Sequence, residues 1–175
     1  ERITYNKLRV GVMGLGELGG HLAKQLHAAG FEVSGYSRTQ KEIDGVVCYD
    51  ENHLDAFLSE LDVLVNLLPI TPKTVGILNY ELLSKTPKGC YLINVARGNH
   101  LVDNDLLKLL DENHLSGAML DVFHQEPLPQ DHAFWKHPKI TITPHVASVT
   151  SPQSALNLLK ENIDRLVNET PLLHQ

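Results

Sequence analysis

Three side chains of the kind that take part in acid–base and carboxylate chemistry follow apolar runs in the second half of the sequence. Arg97 directly follows one run, Glu126 comes five residues after Asp121 in another, and His145 lies just past a third. An arginine can bind a carboxylate through two hydrogen bonds and polarise a neighbouring carbonyl. A histidine can give or take the carbonyl proton, while a glutamate orients the imidazole and favours its charged form. Together the three types suit hydride transfer to a carbonyl beside a carboxylate.

Each of these residues taken singly has a commoner explanation. An arginine after a strand often forms a surface salt bridge, a loop histidine often caps or packs, and Glu126 before Pro127 could be a turn residue. Their joint occurrence after successive strands favours the catalytic interpretation.

A glycine-rich loop near the N-terminus could hold the cofactor for such a transfer. Gly14, Gly16 and Gly19 have the G-x-G-x-x-G spacing, after an apolar run and before a helical pattern. In that setting the first glycine permits a tight turn, the second lets the backbone approach a pyrophosphate, and the third allows helix and strand to pack closely. The exposed N–H groups at the helix start favour the phosphate charge. The alternative is that these glycines only make a turn. The predicted contact residues are Gly14, Leu15, Gly16, Glu17, Leu18 and Gly19, with the Glu17 carboxylate expected to face solvent.

The residues that should read the adenosine ribose follow about 20 positions later. Ser37, Arg38 and Thr39 occupy the place where an acidic residue would accept hydrogen bonds from a 2′-hydroxyl, and Lys41 follows. Hydroxyls and positive charge suit a 2′-phosphate instead. We therefore predict a preference for NADP(H), with NAD(H) possible; the alternative is a solvated arginine in a polar turn.

The elements that must position these residues alternate along the chain. Short apolar runs typical of strands are separated by helical patterns, which predicts an α/β fold: a single domain with a doubly wound, Rossmann-type parallel sheet. The side chains at the strand ends should then meet in one crevice. Helix signals are Leu18, Leu22 and Leu26 before a stop at Gly30, Asp103 as an N-cap, and Ser151-Pro152 opening a last helix. The predicted strands are residues 8–14, 31–37, 61–68, 90–96, 116–122 and 139–144.

Composition excludes several classes of function. The net charge of −6 over 175 residues argues against a nucleic-acid-binding protein. No apolar run approaches the roughly 20 residues that span a bilayer, and two distant cysteines indicate a reducing, cytoplasmic environment. Of the 10 histidines, His132 and His137 are five residues apart, but no cysteine or acidic cluster completes a ligand set, so no metal is expected.

From Leu8 to Val167 the sequence resembles the D-isomer-specific 2-hydroxyacid dehydrogenases. The motifs that carry the resemblance are "GLGELGGHLAKQLHAAGFEVSGYSRT", "LVNLLPITPKTVGILN", "LLSKTPKGCYLINVARG", "LVDNDLLKLLDENHLSGAMLDVFHQEPLP" and "HPKITITPHVAS". The likeness is greatest to the NADPH-using glyoxylate/hydroxypyruvate reductase A subgroup. It implies that Arg97 anchors the substrate and that Glu126 and His145 form the catalytic pair. It also places Trp135 in a loop near the substrate pocket, where an aromatic could simply pack. The implied cofactor contacts in this half of the domain are Leu68, Pro69, Thr74, Val95, Ala96, Arg97, Asp121 and His145.

The resemblance also implies what this chain lacks. Family members have a second, substrate-binding domain, so residues 1–175 are expected to be the dinucleotide-binding domain, with helix 152–168 packing towards the absent domain. The chain alone is expected to bind NADP(H) but to reduce 2-oxoacids such as glyoxylate or hydroxypyruvate weakly or not at all. Relatives imply a homodimer.

Two alternatives remain at this stage. The first half also resembles 3-hydroxyacid dehydrogenases related to hydroxyisobutyrate dehydrogenase, which use a catalytic lysine. A NAD(P)-sensing or interaction module without turnover is the other.

Overall fold

A computed structural model describes residues 7–148 and 152–173. Its centre is a seven-stranded sheet in the order β3-β2-β1-β4-β5-β6-β7, and every neighbouring pair is parallel. The strands are β1 (Arg9–Met13), β2 (Glu32–Tyr36), β3 (Val47–Tyr49), β4 (Val63–Asn66), β5 (Tyr91–Asn94), β6 (Gly117–Leu120) and β7 (Ile140–Ile142).

The strand order reverses at β1, which makes the sheet doubly wound. The chain runs outward from β1 through β2 to β3 and then returns to place β4 on the other side of β1. In such sheets a ligand crevice forms at the carboxyl ends of the strands flanking this reversal. The predicted α/β fold class is confirmed, and the glycine loop and the strand-end polar residues lie along one edge of the sheet.

Helices cover both faces of the sheet because successive strand residues point to opposite sides. In β1, Val12 packs in the buried cluster that includes Ala23 of α1, whereas Met13 belongs to the larger cluster that includes Phe57 and Leu106. The helices of this unit are α1 (Glu17–Ala28), α2 (Leu54–Leu58), α3 (Tyr80–Leu83) and α4 (Asp103–Asp111), with 3₁₀ turns at Glu51–His53, Gly98–His100 and Ala133–Lys136.

Asp103 is not the N-cap that its residue type predicted. Val102 is the N-cap; its N–H bonds to the carbonyl of Leu78, and Asp103 is the first residue of α4. The Asp103 carboxylate lies instead 3.6 Å from His124 Nε2 and 3.3 Å from His132 Nε2, so it is engaged with the loop after β6. Its negative charge still stabilises the helix N-terminus.

The described chain divides into two compact units after His145. The smaller contains α5 (Pro152–Val167) and a following turn that is held by Asn162, whose Oδ1 accepts from Leu173 N–H at 2.8 Å. The predicted apolar stripe of Leu156, Leu159, Ile163 and Leu166 is exposed. Ser151, predicted to open this helix with Pro152, lies outside the described residues. No helix within residues 7–148 and 152–173 is both long and apolar enough to cross a bilayer.

Candidate functional site

The first glycine of the loop after β1 makes the turn that the sequence predicts. Gly14 has a φ of 110°, which L side chains rarely adopt, and its N–H donates to the carbonyl of Tyr36 at 2.8 Å. A Cβ on Gly14 would lie 2.6 Å from the carbonyl oxygen of Leu67, and one on Gly19 would overlap the carbonyl oxygen of Gly14. Both glycines are therefore required for the backbone of the loop to pack.

Gly16 differs from Gly14 and Gly19 because the space that a side chain would occupy there is open. A Cβ placed there meets no atom within 4 Å, and its φ of −75° is accessible to any residue. Gly16, Glu17 and Leu18 are exposed at the N-terminus of α1, whereas Leu15 is buried beneath them. An open glycine at the start of a 12-residue helix fits the close approach of a pyrophosphate.

The turn after β2 presents positive charge at the end of the strand. Arg38, Thr39 and Lys41 are exposed. Ser37 is buried; its hydroxyl donates to the carbonyl of Thr39 at 2.7 Å, and its N–H donates to the carbonyl of Tyr49 in β3 at 3.1 Å. Ser37 therefore shapes the turn, and the exposed side chains are the ones available to a 2′-phosphate.

Hydrogen bonds of Thr74 hold the turn that follows β4. Its hydroxyl donates to the carbonyl of Pro69 at 2.7 Å and accepts from the N–H of Thr71 at 2.8 Å. Leu68 precedes this turn and is half-buried, with its N–H donating to Asn66 Oδ1 at 3.2 Å. Thr74 thus holds Leu68 and Pro69 in a fixed path beside the carboxyl end of β4.

Arg97 lies at the carboxyl end of β5, as predicted. Val95 N–H donates to the carbonyl of Asn66 at 3.4 Å, which keeps the backbone against β4 after the strand ends. Ala96 is buried, while the Arg97 side chain is exposed and its Nη1 donates to the carbonyl of Ala96 at 2.6 Å.

The Arg97 loop packs directly on the loop that carries Glu126. A Cβ on Gly98 would overlap the carbonyl group of Phe123, so only a glycine permits this approach. Phe123 N–H in turn donates to Glu126 Oε1 at 3.0 Å. The packing of Gly98 on Phe123 and the hydrogen bond from Phe123 to Glu126 therefore connect the loop of Arg97 with Glu126.

Glu126 and His145 form the hydrogen-bonded pair that the sequence predicts. Glu126 Oε2 lies 2.7 Å from His145 Nδ1. The hydrogen bond from His145 holds the pKa of the Glu126 carboxyl below its usual value, with desolvation opposing and the Phe123 N–H assisting. An ionised carboxylate only accepts, so Nδ1 carries a hydrogen and Nε2 is the nitrogen available to a substrate oxygen. His145 has a φ of 53°, a strained conformation for a non-glycine residue and one typical of functional sites.

Asp121 lies directly after β6 and is 1% exposed. Its N–H donates to the carbonyl of Asn94 at 3.0 Å, and its Oδ1 accepts from the hydroxyl of Thr143 at 2.5 Å. Asp121 therefore connects the ends of β5 and β6 with the segment that leads to His145.

An apolar cavity of about 400 Å³ adjoins the Glu126–His145 pair. Trp135 is half-exposed on its wall, with the indole N–H donating to the carbonyl of Pro129 at 2.8 Å. The pair therefore borders a largely apolar surface. The other apolar lining residues are Phe123, Pro127, Leu128, Ile142 and Pro144.

Sequence reasoning missed a buried polar cluster beneath these loops. Asn66, Asn94 and His100 are each 0% exposed, and Asn66 is hydrogen-bonded to both of the others. The signal was present: both "VLVN" and "YLIN" end an apolar strand with asparagine. Within residues 7–148 and 152–173, no three His, Cys, Asp or Glu side chains are grouped as metal ligands would be.

Comparison with protein families identifies a match over most of the chain. The model described as "D-isomer specific 2-hydroxyacid dehydrogenase, NAD binding domain" matches residues 2–147. A relative from Serratia proteamaculans named glyoxylate/hydroxypyruvate reductase A is 49% identical over 164 residues, covering 93% of this chain and 52% of the relative. One of the same name from Photorhabdus laumondii is 52% identical over 158 residues, covering 90% and 50%. The chain spans about half the length of the curated relatives it matches.

Solved structures give the same match. An NADPH-dependent glyoxylate/hydroxypyruvate reductase from Sinorhizobium meliloti in complex with NADP and sulfate superposes with a TM-score of 0.91 at 42% identity, covering 95% of this chain and 54% of that one. A D-isomer specific 2-hydroxyacid dehydrogenase from Xanthobacter autotrophicus Py2 in complex with NADPH and MES has a TM-score of 0.95 at 40% identity, covering 100% and 73%.

Proposed function

This chain belongs to the D-isomer specific 2-hydroxyacid dehydrogenase family, and we propose that it is the NADP(H)-binding domain of a reductase that converts 2-oxoacids such as glyoxylate or hydroxypyruvate to 2-hydroxyacids. The observation that carries the proposal is the Glu126–His145 pair, with 2.7 Å between Oε2 and Nδ1, on the same sheet edge as the glycine loop. A proton donor and a dinucleotide-binding loop on one edge are what carbonyl reduction requires.

The cofactor fits the residues present. The open backbone at Gly16 would receive the pyrophosphate, and Arg38, Thr39 and Lys41 would hold the 2′-phosphate through charge-assisted hydrogen bonds. When bound, the nicotinamide supplies the hydride for the reduction. NAD(H) lacks the 2′-phosphate, so it would lose these contacts and bind more weakly, although the rest of the loop serves both dinucleotides.

The chain's own residues would act on the substrate in two ways. The exposed Arg97 guanidinium would bind the substrate carboxylate and orient the adjacent carbonyl. His145 Nε2 would donate a proton to the carbonyl oxygen as it gains negative charge, while Glu126 at Nδ1 fixes the ring and balances the charge of the imidazolium. In the reverse direction His145 would take the hydroxyl proton.

Titration with both cofactors and an assay test this function. NADPH should bind the chain more tightly than NADH, and the complete enzyme should oxidise NADPH when glyoxylate or hydroxypyruvate is added, followed by absorbance at 340 nm. Equal or tighter binding of NADH would contradict the preference. A complete enzyme that binds NADPH but turns over neither 2-oxoacid would contradict the reductase assignment.

The substrate domain is part of the same proposal. The chain spans about half the length of its curated relatives, and we propose that the other half supplies a domain that closes over the substrate and excludes water. The exposed stripe of Leu156, Leu159, Ile163 and Leu166 on α5 would pack towards that domain. The 175-residue chain alone should therefore bind NADPH and show little turnover; turnover equal to that of the complete enzyme would contradict this.

The proposal also covers the oligomeric state of the protein and its cellular environment. A homodimer is expected from the family, and sedimentation of the complete enzyme would test it, since a monomer at micromolar concentration contradicts it. Cys48 and Cys90 are both free thiols, which suits a reducing cytoplasmic environment.

A further inference from the structure

Three buried polar side chains lie beneath the loops that carry the site. Asn66 ends β4, Asn94 ends β5, and His100 follows in the 3₁₀ turn after Arg97. All three are 0% exposed. Polar groups buried this completely are costly unless each finds a partner.

The hydrogen bonds of the cluster determine how each side chain is oriented. Leu68 N–H donates to Asn66 Oδ1 at 3.2 Å and Ala96 N–H donates to Asn94 Oδ1 at 3.3 Å, so both amide oxygens are assigned by backbone donors. Asn66 Nδ2 then donates to Asn94 Oδ1 and to His100 Nδ1, each at 3.0 Å. His100 Nδ1 is consequently an acceptor, which requires a neutral ring with its hydrogen on Nε2.

That tautomer connects the cluster to the cofactor segment. His100 Nε2 donates to the carbonyl of Pro69 at 3.3 Å, the same carbonyl that accepts from the hydroxyl of Thr74. With the bond from Leu68 N–H to Asn66, the cluster therefore holds the Leu68-Pro69 dipeptide at its N–H end and at its carbonyl end. Burial keeps the pKa of His100 below its usual value, the bond to Pro69 opposing and the charge of Arg97 assisting.

A second set of hydrogen bonds from the cluster holds the backbone of Arg97. Asn94 Nδ2 donates to the carbonyl of Arg97 at 3.2 Å, and the N–H of His100 donates to the same carbonyl at 3.2 Å. Ala96 N–H is bound to Asn94 as well. The backbone on both sides of Arg97 Cα is thus fixed from below, while its side chain stays exposed.

We infer that Asn66, Asn94 and His100 are positioning residues that hold the Leu68-Pro69 segment for the cofactor and the Arg97 backbone for the substrate carboxylate. The inference rests on the proposed function and adds residues to which that function assigns no role. Apolar side chains of similar size would fill the same space, but they would leave the N–H groups of Leu68 and Ala96 without their partners. They would also remove one of the two hydrogen bonds to each of the carbonyls of Pro69 and Arg97.

Binding of NADPH to the 175-residue chain tests the hydrogen bond from His100 to the Leu68-Pro69 segment. His100→Leu should weaken NADPH binding by about tenfold because the loss of one or two buried hydrogen bonds releases the segment. His100→Gln, which keeps a neutral donor and acceptor, should stay within about twofold of the wild type. Thr86→Val is the matched control, since Thr86 is 3% exposed and donates to the carbonyl of Leu83, outside the site.

Kinetics of the complete enzyme test the hydrogen bonds from Asn94 to the backbone around Arg97. Asn94→Leu should raise the KM for glyoxylate by about tenfold with a smaller change in the KM for NADPH, and His100→Leu should show the opposite split. A purely structural role would lower the melting temperature in all three variants, Thr86→Val included, without any split between the two KM values.

A measurement on the unmutated chain does not depend on the variants folding. In ¹⁵N-histidine NMR spectra, His100 should show a bare Nδ1 and a protonated Nε2, and its Nε2 resonance should shift when NADPH saturates the chain. The opposite tautomer, or an unmoved resonance at NADPH saturation, overturns the inference. NADPH binding by the wild type with unchanged affinity in folded His100→Leu also overturns it and leaves the proposed function intact. A wild type that binds no NADPH overturns both.

Discussion

Glu126 Oε2 and His145 Nδ1 lie 2.7 Å apart although the residues are separated by 19 positions and belong to loops after different strands. The parallel sheet makes this possible because β6 and β7 are neighbours and end at the same edge. The exposed imidazole thereby gains a fixed orientation that a loop histidine without a partner would not have.

Removing the charge of Glu126 should slow the chemistry more than it weakens cofactor binding. In Glu126→Gln the imidazolium loses its anionic partner, so kcat for glyoxylate in the complete enzyme should fall by about 10²-fold, with the NADPH dissociation constant nearly unchanged. Glu81→Gln, which neutralises an exposed glutamate on α3, is the matched control. Unchanged kcat in Glu126→Gln would show that the pair has no catalytic role.

Removing the charge of Arg38 should discriminate between the two cofactors. Arg38 is exposed in the turn that Ser37 braces, and a charge-assisted hydrogen bond to phosphate contributes about 1.5–3 kcal/mol. Arg38→Ala should therefore weaken NADPH binding by about 10- to 100-fold and leave NADH binding almost unaltered. The control is Lys24→Ala on α1, also an exposed cation. Equal losses for NADPH and NADH would contradict recognition of the 2′-phosphate.

Strands that are buried on both faces were predictable from local sequence. The runs around β1 and β5 are apolar, bounded by turn residues, and long enough to be distinguished from their surroundings. β3 was missed because Val47–Tyr49 is only three residues long and lies at the sheet edge, where pairing with β2 makes it a strand. Such a strand depends on tertiary structure rather than on its own pattern.

Side chains whose partners are distant in sequence were harder to interpret. Asp103 has the residue type of an N-cap, but the histidines of the loop after β6 decide where its carboxylate lies. Asn66 bonds to partners 28 and 34 residues away, so an asparagine at the end of an apolar strand indicates a buried polar residue but not the partners it has. The positions of Arg97, Glu126 and His145 could be predicted because the rule that ligands bind at the carboxyl ends of parallel strands needs only the strand ends.

The buried neutral His100 should make stability depend on pH in a specific direction. Its pKa is lowered in the folded state, so above about pH 6.5 the ring is neutral in both states and contributes no pH dependence. As pH falls below that value the unfolded state takes up the proton first, and the free energy of unfolding decreases by at most about 1.4 kcal/mol per pH unit. Thermal unfolding at pH 7.5 and 5.5 should therefore show a larger loss for the wild type than for His100→Gln. Equal losses would contradict a neutral buried His100.

Substitution of two glycines in the same loop should separate folding from cofactor binding. A Cβ on Gly19 would overlap the carbonyl oxygen of Gly14, so Gly19→Ala should lower the melting temperature of the chain. A Cβ on Gly16 meets nothing within 4 Å and its φ suits alanine, so Gly16→Ala should fold with nearly wild-type stability. The methyl group would nevertheless occupy the space through which a pyrophosphate approaches, and NADPH affinity should fall by at least about tenfold. Gly30→Ala is a control for Gly19→Ala, because its cost would come from its φ of 93° and not from a clash. If Gly16→Ala binds NADPH as tightly as the wild type, the pyrophosphate does not lie against this loop.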